Sequence, residues 1–364
     1  MRRSLAGCDQ VGLVPDQWGG VQEAPVWQVR CRGLAYHARM SICRRLLLQL
    51  AATTGLMGLQ GRARASTVVD GQWLDAGRQR KLPWRLRVPA VSGPWPVVLF
   101  SHGLGGSREG GAAWSEAWSA AGMAVLHLQH PGSDTSTLLG GMATLRRAAT
   151  AEQLRERVLD VRFVLDELTR QAAAAGPGAS VWSSLRLDAV GLAGHSFGAH
   201  TTQALAGQRY GVPADFADQR LKAFVALSPS APRGPGANLQ RAFGDIRRPF
   251  MAITGSLDGD PLGGDNTAES RAQVFDGLPQ GQRALLWLAG ADHMSFAGGS
   301  VGPIPSAGPF QRHGDAARLQ TQHHGLVAQI TSWWWRAHLA QDPQALAALR
   351  QPQALASGDR FVLD

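Results

Sequence analysis

The hydrophobic and polar positions of residues 66–364 alternate between short apolar runs and longer amphipathic stretches. Residues 68–73 and 81–88 have strand-like patterns separated by a glycine-containing turn, which predicts an antiparallel opening hairpin. Residues 96–100 form a continuous apolar run, which is typical of a strand buried on both faces. Later apolar runs predict further strands at residues 124–128, 190–193, 223–227, 250–254 and 284–288.

Segments with helical spacing separate these strands. Residues 112–121 predict one helix, and residues 151–171 have the most regular helical pattern of the chain. The last long helix is predicted over residues 325–339, and the Ala/Gln-rich tail from Asp342 predicts a short one. Strands that alternate with helices predict an α/β fold with a mostly parallel, doubly wound sheet. No internal repeat or linker interrupts residues 66–364, so we expect a single domain there.

Three consecutive tryptophans, Trp333, Trp334 and Trp335, lie in the last predicted long helix. Consecutive residues on a helix point in different directions. We therefore expect two of these side chains to pack in the core and one to be partly exposed. We interpret the triplet as a means of docking the helix, and an interface with a partner is the alternative.

Residues 189–200, AVGLAGHSFGAH, contain the motif that organises the candidate chemistry. An apolar strand leads into GHSFG at residues 194–198, and small residues that can open a helix follow. This is the setting of a G-x-S-x-G nucleophile elbow, in which the serine adopts a strained backbone conformation. Gly194 and Gly198 are required because the turn packs against neighbouring backbone and leaves no room for a Cβ. The motif predicts Ser196 as a nucleophile.

A serine hydroxyl is a weak nucleophile that needs a base, itself oriented by an acid. His293 directly follows the last predicted apolar strand and is the expected base. Asp258 and Asp260 both lie just past the strand at residues 250–254. We favour Asp258 as the acid, because three residues after the strand-ending glycine is the position that turns toward the histidine. The chain order serine, aspartate, histidine is the order of nucleophile-elbow enzymes.

Other histidines and aspartates are interpreted as structural by their positions. His195 lies within the elbow, His102 lies in a glycine-rich loop, and His130 ends a strand. Asp292 immediately precedes His293 and is expected to shape the turn.

Catalysis by such a serine also needs two backbone N–H groups directed at the developing oxyanion. Residues 100–106, FSHGLGG, form a glycine-rich loop after a predicted buried strand. In this layout one donor is the N–H of Phe197, and the other comes from the loop, at Leu104. Gly103 allows the backbone to approach the substrate closely. The alternative interpretation is an ordinary strand-to-helix turn that His102 braces.

The net charge of +9 suggests a nucleic-acid partner, but its distribution argues against one. Residues 1–65 contain nine arginines and three acidic residues, so six of the nine positive charges lie in this leader. The remaining residues carry 27 basic and 24 acidic side chains without a Lys/Arg-rich run. The sequence therefore predicts no nucleic-acid partner.

Residues 40–65 have the organisation of an export signal. Arg44 and Arg45 form a positive start, a moderately apolar stretch follows, and residues 63–65 read Ala-Arg-Ala. The paired arginines resemble a twin-arginine signal, so we expect the mature protein to be periplasmic or extracellular. The apolar stretch is too short and too interrupted for a stable membrane span.

Signal peptides begin at a chain terminus, so we expect Met40 to be the true start and residues 1–39 to be a non-native upstream extension. The cysteines Cys8, Cys31 and Cys43 all precede residue 66. Removal of the leader would then leave no thiol, no disulfide and no thiolate metal site.

Five stretches together carry a family resemblance: FSHGLGG, GHSFG, HPGSD at residues 130–134, TGSLD at 254–258 and GADHMSF at 290–296. With them the chain resembles the α/β-hydrolases, and is similar to bacterial relatives of plasma-type platelet-activating-factor acetylhydrolase and of dienelactone hydrolase. The resemblance spans about residues 96–296 and implies about eight mostly parallel strands with helices on both faces, and hydrolysis through an acyl-enzyme on Ser196.

The chain departs from both subfamilies. Dienelactone hydrolases use a cysteine nucleophile, which residues 66–364 lack. The acetylhydrolases take their acid after the preceding strand, which here ends in ALSPS at residues 226–230 without a carboxylate.

We therefore expect an exported serine hydrolase that cleaves short-chain carboxylic esters, with a small-molecule ester as its partner and without a cofactor or metal. The sequence leaves open an acetylhydrolase- or phospholipase-like activity, thioester or amide hydrolysis on the same triad, and a non-catalytic binding protein on the same scaffold. Residues 132–150 are either a cap at the mouth of the site or a plain connection. The absence of a long apolar lid from the sequence favours small soluble esters over bulk lipid.

Overall fold

The computed structural model describes residues 66–176, 180–211, 215–299, 312–352 and 355–364. The expectations for residues 1–39 and 40–65 therefore lie outside the described residues. Within the described ranges, no helix is long and apolar enough to cross a membrane.

A nine-stranded sheet organises the described part of the chain. Its strands are β1 (Thr67–Asp75), β2 (Arg80–Val88), β3 (Trp95–Ser101), β4 (Ala124–Leu128), β5 (Leu185–His195), β6 (Leu221–Leu227), β7 (Phe250–Leu257), β8 (Arg283–Asp292) and β9 (Arg360–Leu363). They lie in the order β1-β2-β4-β3-β5-β6-β7-β8-β9. The pairings from β4 to β8 are parallel, whereas β1–β2, β2–β4 and β8–β9 are antiparallel. The opening hairpin and the mostly parallel sheet are thus as predicted.

Helices connect the strands and cover the sheet. They are α1 (Ala112–Ala120), α2 (Thr135–Leu139), α3 (Met142–Ala148), α4 (Ala151–Ala175), α5 (Phe197–Ala206), α6 (Leu239–Phe243), α7 (Ala268–Gly277), α8 (Gly314–His338) and α9 (Pro343–Arg350). The longest helix before the elbow, α4, begins where the Thr150 side chain accepts the Gln153 N–H. The apolar face predicted for it is buried.

Successive residues of β3 enter different cores, so both faces of the sheet are covered. Val97 and Leu99 pack in a cluster with α4 and α5, whereas Val98 and Phe100 pack in a cluster with α1 and α8. This alternation is the period-two geometry of a strand. It explains why the strand reads as a continuous apolar run in the sequence.

The C-terminal elements differ most from expectation. Helix α8 begins at Gly314 and not at Gly325, and its early turns bury the polar residues Gln320 and His323. Polar side chains on the buried face leave no apolar period for sequence analysis to detect. Strand β9 is a further departure. It forms the sheet edge with alternately exposed and half-buried residues, and its apolar run of three residues is shorter than the runs that predict the other strands.

The tryptophan triplet divides as predicted. Trp334 and Trp335 are buried, and Trp333 is half-buried. The Trp335 ring meets the Trp118 ring of α1 edge-on, with the centroids 5.6 Å apart. The triplet therefore docks α8 against α1 and the sheet.

Candidate active site

The carboxyl ends of the parallel strands bring the predicted site residues to one edge of the sheet. Ser196 directly follows β5, Asp258 follows β7 and His293 follows β8, while the loop with Leu104 follows β3. Ligands of doubly wound sheets bind at this edge. Residues that are far apart in the sequence thus meet in one place.

Ser196 lies on a sharp turn between β5 and α5. Its backbone has φ 56° and ψ −115°, a conformation that non-glycine residues rarely adopt. Hydrogen bonds on either side hold the turn, from the Ser196 N–H to Leu227 O at 2.9 Å and from the Ala199 N–H to Ser196 O at 2.8 Å. The structure therefore stores backbone strain at the predicted nucleophile, which is where such strain has a functional use.

Both elbow glycines face backbone at close range. A Cβ on Gly198 would lie 1.9 Å from Ser101 O, and one on Gly194 would lie 2.2 Å from Gly198 O. Because the contacting atoms belong to packed backbone, only glycine fits at either position. A Cβ on Gly103 would approach the Ser196 Cβ at 3.4 Å. The loop after β3 therefore lies directly beside the serine.

Ser196, His293 and Asp258 form a continuous hydrogen-bonded row. His293 Nε2 lies 2.8 Å from Ser196 Oγ, and His293 Nδ1 lies 2.8 Å from Asp258 Oδ1. Asp258 is fully buried and His293 is 7% exposed, whereas Ser196 is half-buried and lines a pocket. A protonated Nδ1 that donates to the carboxylate leaves Nε2 to accept the serine hydroxyl.

The two other aspartates of this region have different partners. Asp260 accepts the Leu262 N–H at 2.9 Å and the Asn266 side-chain amide at 2.8 Å, so it shapes its own loop. Asp292 accepts the Ser295 N–H and pairs with Arg312. Of the three aspartates, Asp258 is the one that lies within hydrogen-bonding distance of the His293 ring.

A buried guanidinium that sequence analysis does not identify supports Asp258. Arg271 of α7 is 2% exposed, and its Nε lies 3.1 Å from Asp258 Oδ1. It also donates to Ser228 O at 3.1 Å and to Gly259 O at 3.0 Å. Arg271 thus ties the carboxyl ends of β6 and β7 to the carboxylate.

The charge of Arg271 changes the acidity of Asp258. Burial by itself raises the pKa of the Asp258 carboxyl, but the Arg271 charge and the hydrogen bond with His293 outweigh it, so the pKa lies below its ordinary value. Asp258 is therefore a carboxylate at neutral pH. No local motif marks Arg271 in the sequence, where it is one arginine in a short helix without a marked apolar face.

The two expected oxyanion donors line the same pocket as the serine. Phe197 begins α5, and Leu104 lies in the loop after β3. No acceptor among the described residues takes the backbone N–H of either one. Both N–H groups are therefore available to a ligand oxygen in the pocket.

A second Ser–His–Asp row lies deeper in the molecule. Ser101 Oγ is 3.0 Å from His130 Nε2, and His130 Nδ1 is 2.9 Å from Asp160 Oδ2. Burial lowers the pKa of His130 to about 4. All three side chains are fully buried, so no substrate reaches Ser101. This row is structural and ties the ends of β3 and β4 to α4.

The pocket at Ser196 is small and mostly apolar, with a volume of about 380 Å³. Its apolar walls are Leu104, Leu145, Ala149, Leu154, Phe197, Pro261 and Leu262. Leu145 and Ala149 belong to residues 132–150, which fold largely as α2 and α3. That segment therefore forms one wall of the pocket, although its sequence also fits a plain connection.

A larger groove of about 1130 Å³ adjoins the pocket. The two cavities share four lining residues, namely His200, Tyr210, Ser230 and Asn266. Beyond them, half of the groove's lining residues are polar or charged, including Gln208, Arg209, Gln219, Arg233, Asn238 and Arg241, and the other half are glycine, alanine or proline. The mostly apolar pocket at the serine thus opens into a larger groove of mixed polarity that carries several charged side chains.

His195 and His200 flank the serine in different ways. His195 Nε2 lies 2.9 Å from the backbone oxygen of His293, and burial lowers the pKa of His195 to about 3, so a neutral His195 braces the loop that carries His293. His200 lines both the pocket and the groove, and burial lowers its pKa to about 4. Sequence analysis does not single out His200, which has no motif of its own.

Neither a family model nor a curated protein matches this sequence. Among solved structures, a ferulic acid esterase from Streptomyces cinnamoneus superposes with a TM-score of 0.55 and 20% identity, over 83% of this chain and 98% of that chain. The chain has the α/β-hydrolase fold. The 2,6-dihydroxy-pseudo-oxynicotine hydrolase matches with a TM-score of 0.47 and 15% identity, over 82% of this chain and 73% of that chain.

Proposed function

We propose that this chain is a serine hydrolase that cleaves carboxylic esters through an acyl-enzyme on Ser196. One observation carries the proposal: His293 lies 2.8 Å from both Ser196 Oγ and Asp258 Oδ1, beside a pocket into which two backbone N–H groups can donate. A buried carboxylate and an imidazole in this arrangement are what make a serine hydroxyl nucleophilic. The elbow strain at Ser196 and the α/β-hydrolase fold support the same role.

The reaction follows from the positions of these groups. His293 Nε2 takes the proton of Ser196 as its Oγ attacks the carbonyl carbon, while Asp258 holds the Nδ1–H. The N–H groups of Leu104 and Phe197 stabilise the negative charge on the carbonyl oxygen. The imidazolium then protonates the leaving alcohol as the C–O bond breaks. In the second half His293 removes a proton from water as its oxygen attacks the acyl carbon. The imidazolium then returns this proton to Ser196 Oγ as the bond between the acyl carbon and Oγ breaks, which releases the acid and restores both side chains.

The two cavities differ in size and lining, which supports an ester whose acyl and alcohol parts differ in size and polarity. A pocket of about 380 Å³, with Leu145 and Leu262 in its apolar walls, suits a short acyl group. The adjoining groove is larger and carries charged and amide side chains among apolar ones, so it suits a larger group with both polar and apolar parts on the other side of the ester. An acetylhydrolase-like activity is consistent with this division, so acetate esters belong in the first substrate panel.

The test compares full-length wild type with Ser196→Ala on p-nitrophenyl acetate, butyrate and octanoate, with methyl ferulate as an aryl ester. We expect wild type to prefer acetate or butyrate, and Ser196→Ala to lower kcat by about 10⁴-fold or more. Ser101→Ala is the matched control, because it removes the serine of the buried row and should leave turnover in place. Wild-type turnover by Ser196→Ala would end the proposal.

A fluorophosphonate probe distinguishes an enzyme from a silent scaffold. We expect covalent labelling of wild type at Ser196 and none of Ser196→Ala. Unlabelled wild type would favour the non-catalytic binding protein. Labelling of Ser196 together with faster turnover of an amide or thioester than of the esters would assign the protein to that substrate class instead.

We also propose that the mature protein is exported and begins near Ser66. The Ala-Arg-Ala signal at residues 63–65 lies just before β1, which begins at Thr67, so cleavage there leaves the sheet intact. N-terminal sequencing of the secreted protein should therefore begin near Ser66. A mature protein that still carries residues 1–39 would contradict this proposal.

A further inference from the structure

A buried polar cluster converges on the backbone oxygen of Gly103. This oxygen and the Leu104 N–H belong to one planar peptide group, so whatever holds the oxygen sets the direction of the N–H. The oxygen accepts hydrogen bonds from His102 Nδ1 at 2.6 Å, from the Gly106 N–H at 3.1 Å and from Arg157 Nη2 at 3.4 Å. These contacts to Gly103 O therefore set the direction of the Leu104 N–H, the proposed oxyanion donor.

Backbone contacts determine the tautomer of His102. The N–H of His130 donates to His102 Nε2 at 3.0 Å, so Nε2 is an acceptor and Nδ1 carries the proton. That proton is donated to Gly103 O. Burial and then the charge of Arg157 hold the pKa of His102 well below its ordinary value, so the ring stays neutral. His102 is a fixed donor at this position.

Arg157 connects the Gly103–Leu104 peptide to the second oxyanion donor. Its side chain is fully buried, and Nη1 donates to His102 O at 2.6 Å. On its other side, the guanidinium carbon lies 4.5 Å from the centroid of the Phe197 ring. One cation therefore contacts the loop after β3 and the first residue of α5. Burying a charged guanidinium costs free energy unless hydrogen bonds and neighbouring charges replace its hydration. A fully buried arginine at this place therefore indicates a specific role.

We propose that Arg157 is a positioning residue for the proposed oxyanion hole. It orients the Gly103–Leu104 peptide, holds it against the Phe197 ring, and polarises the peptide so that its N–H becomes a stronger donor. A positive charge at a carbonyl oxygen withdraws electron density from the peptide nitrogen through the delocalised C–N bond. This polarisation of the peptide is large where water is excluded, as it is around the buried Arg157. The inference rests on the proposed function, because it acts on an oxyanion that acyl transfer creates.

The kinetic test uses full-length Arg157→Met and Arg157→Lys, with Arg80→Met as the control. Arg80 pairs with Asp160 at 2.7 Å and donates to Pro131 O, so its loss removes a cation from the same region without a contact to the Gly103–Leu104 peptide. We expect Arg157→Met to lower kcat on p-nitrophenyl acetate by about 10- to 100-fold with little change in KM, since the donor acts in the transition state. Arg157→Lys should recover part of kcat, and Arg80→Met should retain it.

If Arg157 only stabilised the fold, Arg157→Met would lower the free energy of unfolding and would not lower kcat at a nearly constant KM. Arg157→Met with wild-type kcat would overturn the proposal. Equal losses of kcat in Arg157→Met and Arg80→Met would also overturn it.

A second readout does not depend on turnover. In protein labelled with ¹⁵N-leucine, the amide resonance of Leu104 should move in Arg157→Met and stay in place in Arg80→Met. A Leu104 resonance that Arg157→Met leaves unchanged would overturn the inference. Wild type that hydrolyses no ester would overturn the proposed function, and the resonance then decides separately whether Arg157 orients this peptide.

Discussion

The Nε atom of Arg271 lies 3.1 Å from Oδ1 of Asp258, the same oxygen that faces His293 Nδ1 at 2.8 Å. Asp258 therefore shares its charge between a permanent cation and the imidazole of the proposed triad. Because the carboxylate and the guanidinium are both buried, neither is compensated by water, and each depends on the other.

Replacement of Arg271 by methionine leaves a buried carboxylate without its cation. We expect the free energy of unfolding to fall by about 3–5 kcal/mol, measured by urea unfolding at neutral pH. The double variant Arg271→Met/Asp258→Asn should recover part of this loss, because it also removes the unpaired charge. Losses that simply add in the double variant would contradict the coupling.

The lowered pKa of Asp258 predicts how this contribution depends on pH. The folded-state pKa lies below the ordinary value of 3.8, so the unfolded chain binds the proton more tightly. The stabilisation is therefore fully present above the ordinary pKa and is lost as the pH falls through the folded pKa. The difference in unfolding free energy between wild type and Asp258→Asn should shrink below about pH 4. A difference that stays constant into strong acid would contradict the lowered pKa of Asp258.

Buried histidines predict a wider acid effect. Burial lowers the pKa of His127 and His130 to about 4 and that of His195 to about 3, from an ordinary value of 6.5. In the unfolded chain these rings take up protons that the folded chain excludes, so stability should decline as the pH falls from about 6.5 toward 4. His127→Asn keeps a donor near Gly110 O but does not titrate, and it should flatten the decline. Urea unfolding across this pH range gives the change in unfolding free energy with pH for wild type and for His127→Asn. Equal slopes in the two proteins would contradict the claim that the buried His127 ring resists protonation.

The close approach at Gly198 predicts that a single methyl group disrupts the elbow. We expect Gly198→Ala to lose fluorophosphonate labelling of Ser196 and more than about 2 kcal/mol of stability, since the new Cβ would lie 1.9 Å from Ser101 O. Gly325→Ala is the control, because a Cβ there meets nothing within 4 Å. In that helix alanine should stabilise by about 1 kcal/mol. Wild-type labelling of Gly198→Ala would be incompatible with the packing described.

The wall of the pocket formed by α3 predicts the acyl-chain preference. Leu145→Ala should raise kcat/KM for p-nitrophenyl hexanoate relative to acetate by about 10-fold, because a methylene group in an apolar pocket is worth that much in discrimination. Leu139→Ala is the control from the same segment, where Leu139 is 83% exposed. It should leave the ratio of the two substrates unchanged. The same ratio in both variants would show that this wall does not contact the acyl chain.

The sequence by itself determined the fold class and the outline of the candidate site. A strand covered on both faces must be apolar throughout, which made β3 and β5 to β8 visible as short runs. The elbow was visible because its geometry requires Gly194 and Gly198 within two residues of Ser196. The first turns of α8 were not visible, because polar residues on a buried face carry no apolar period. The edge strand β9 was not visible, because it has four residues and an apolar run of three.

The tertiary structure alone decided which groups act together. It separates Asp258 from Asp260 by their contacts, and it distinguishes the accessible row at Ser196 from the buried row at Ser101, although both consist of the same residue types. It also brings Arg157 and Arg271 to the site from helices α4 and α7. A guanidinium acquires its role from partners that are distant in the sequence and from the exclusion of water around them, and local sequence patterns encode neither.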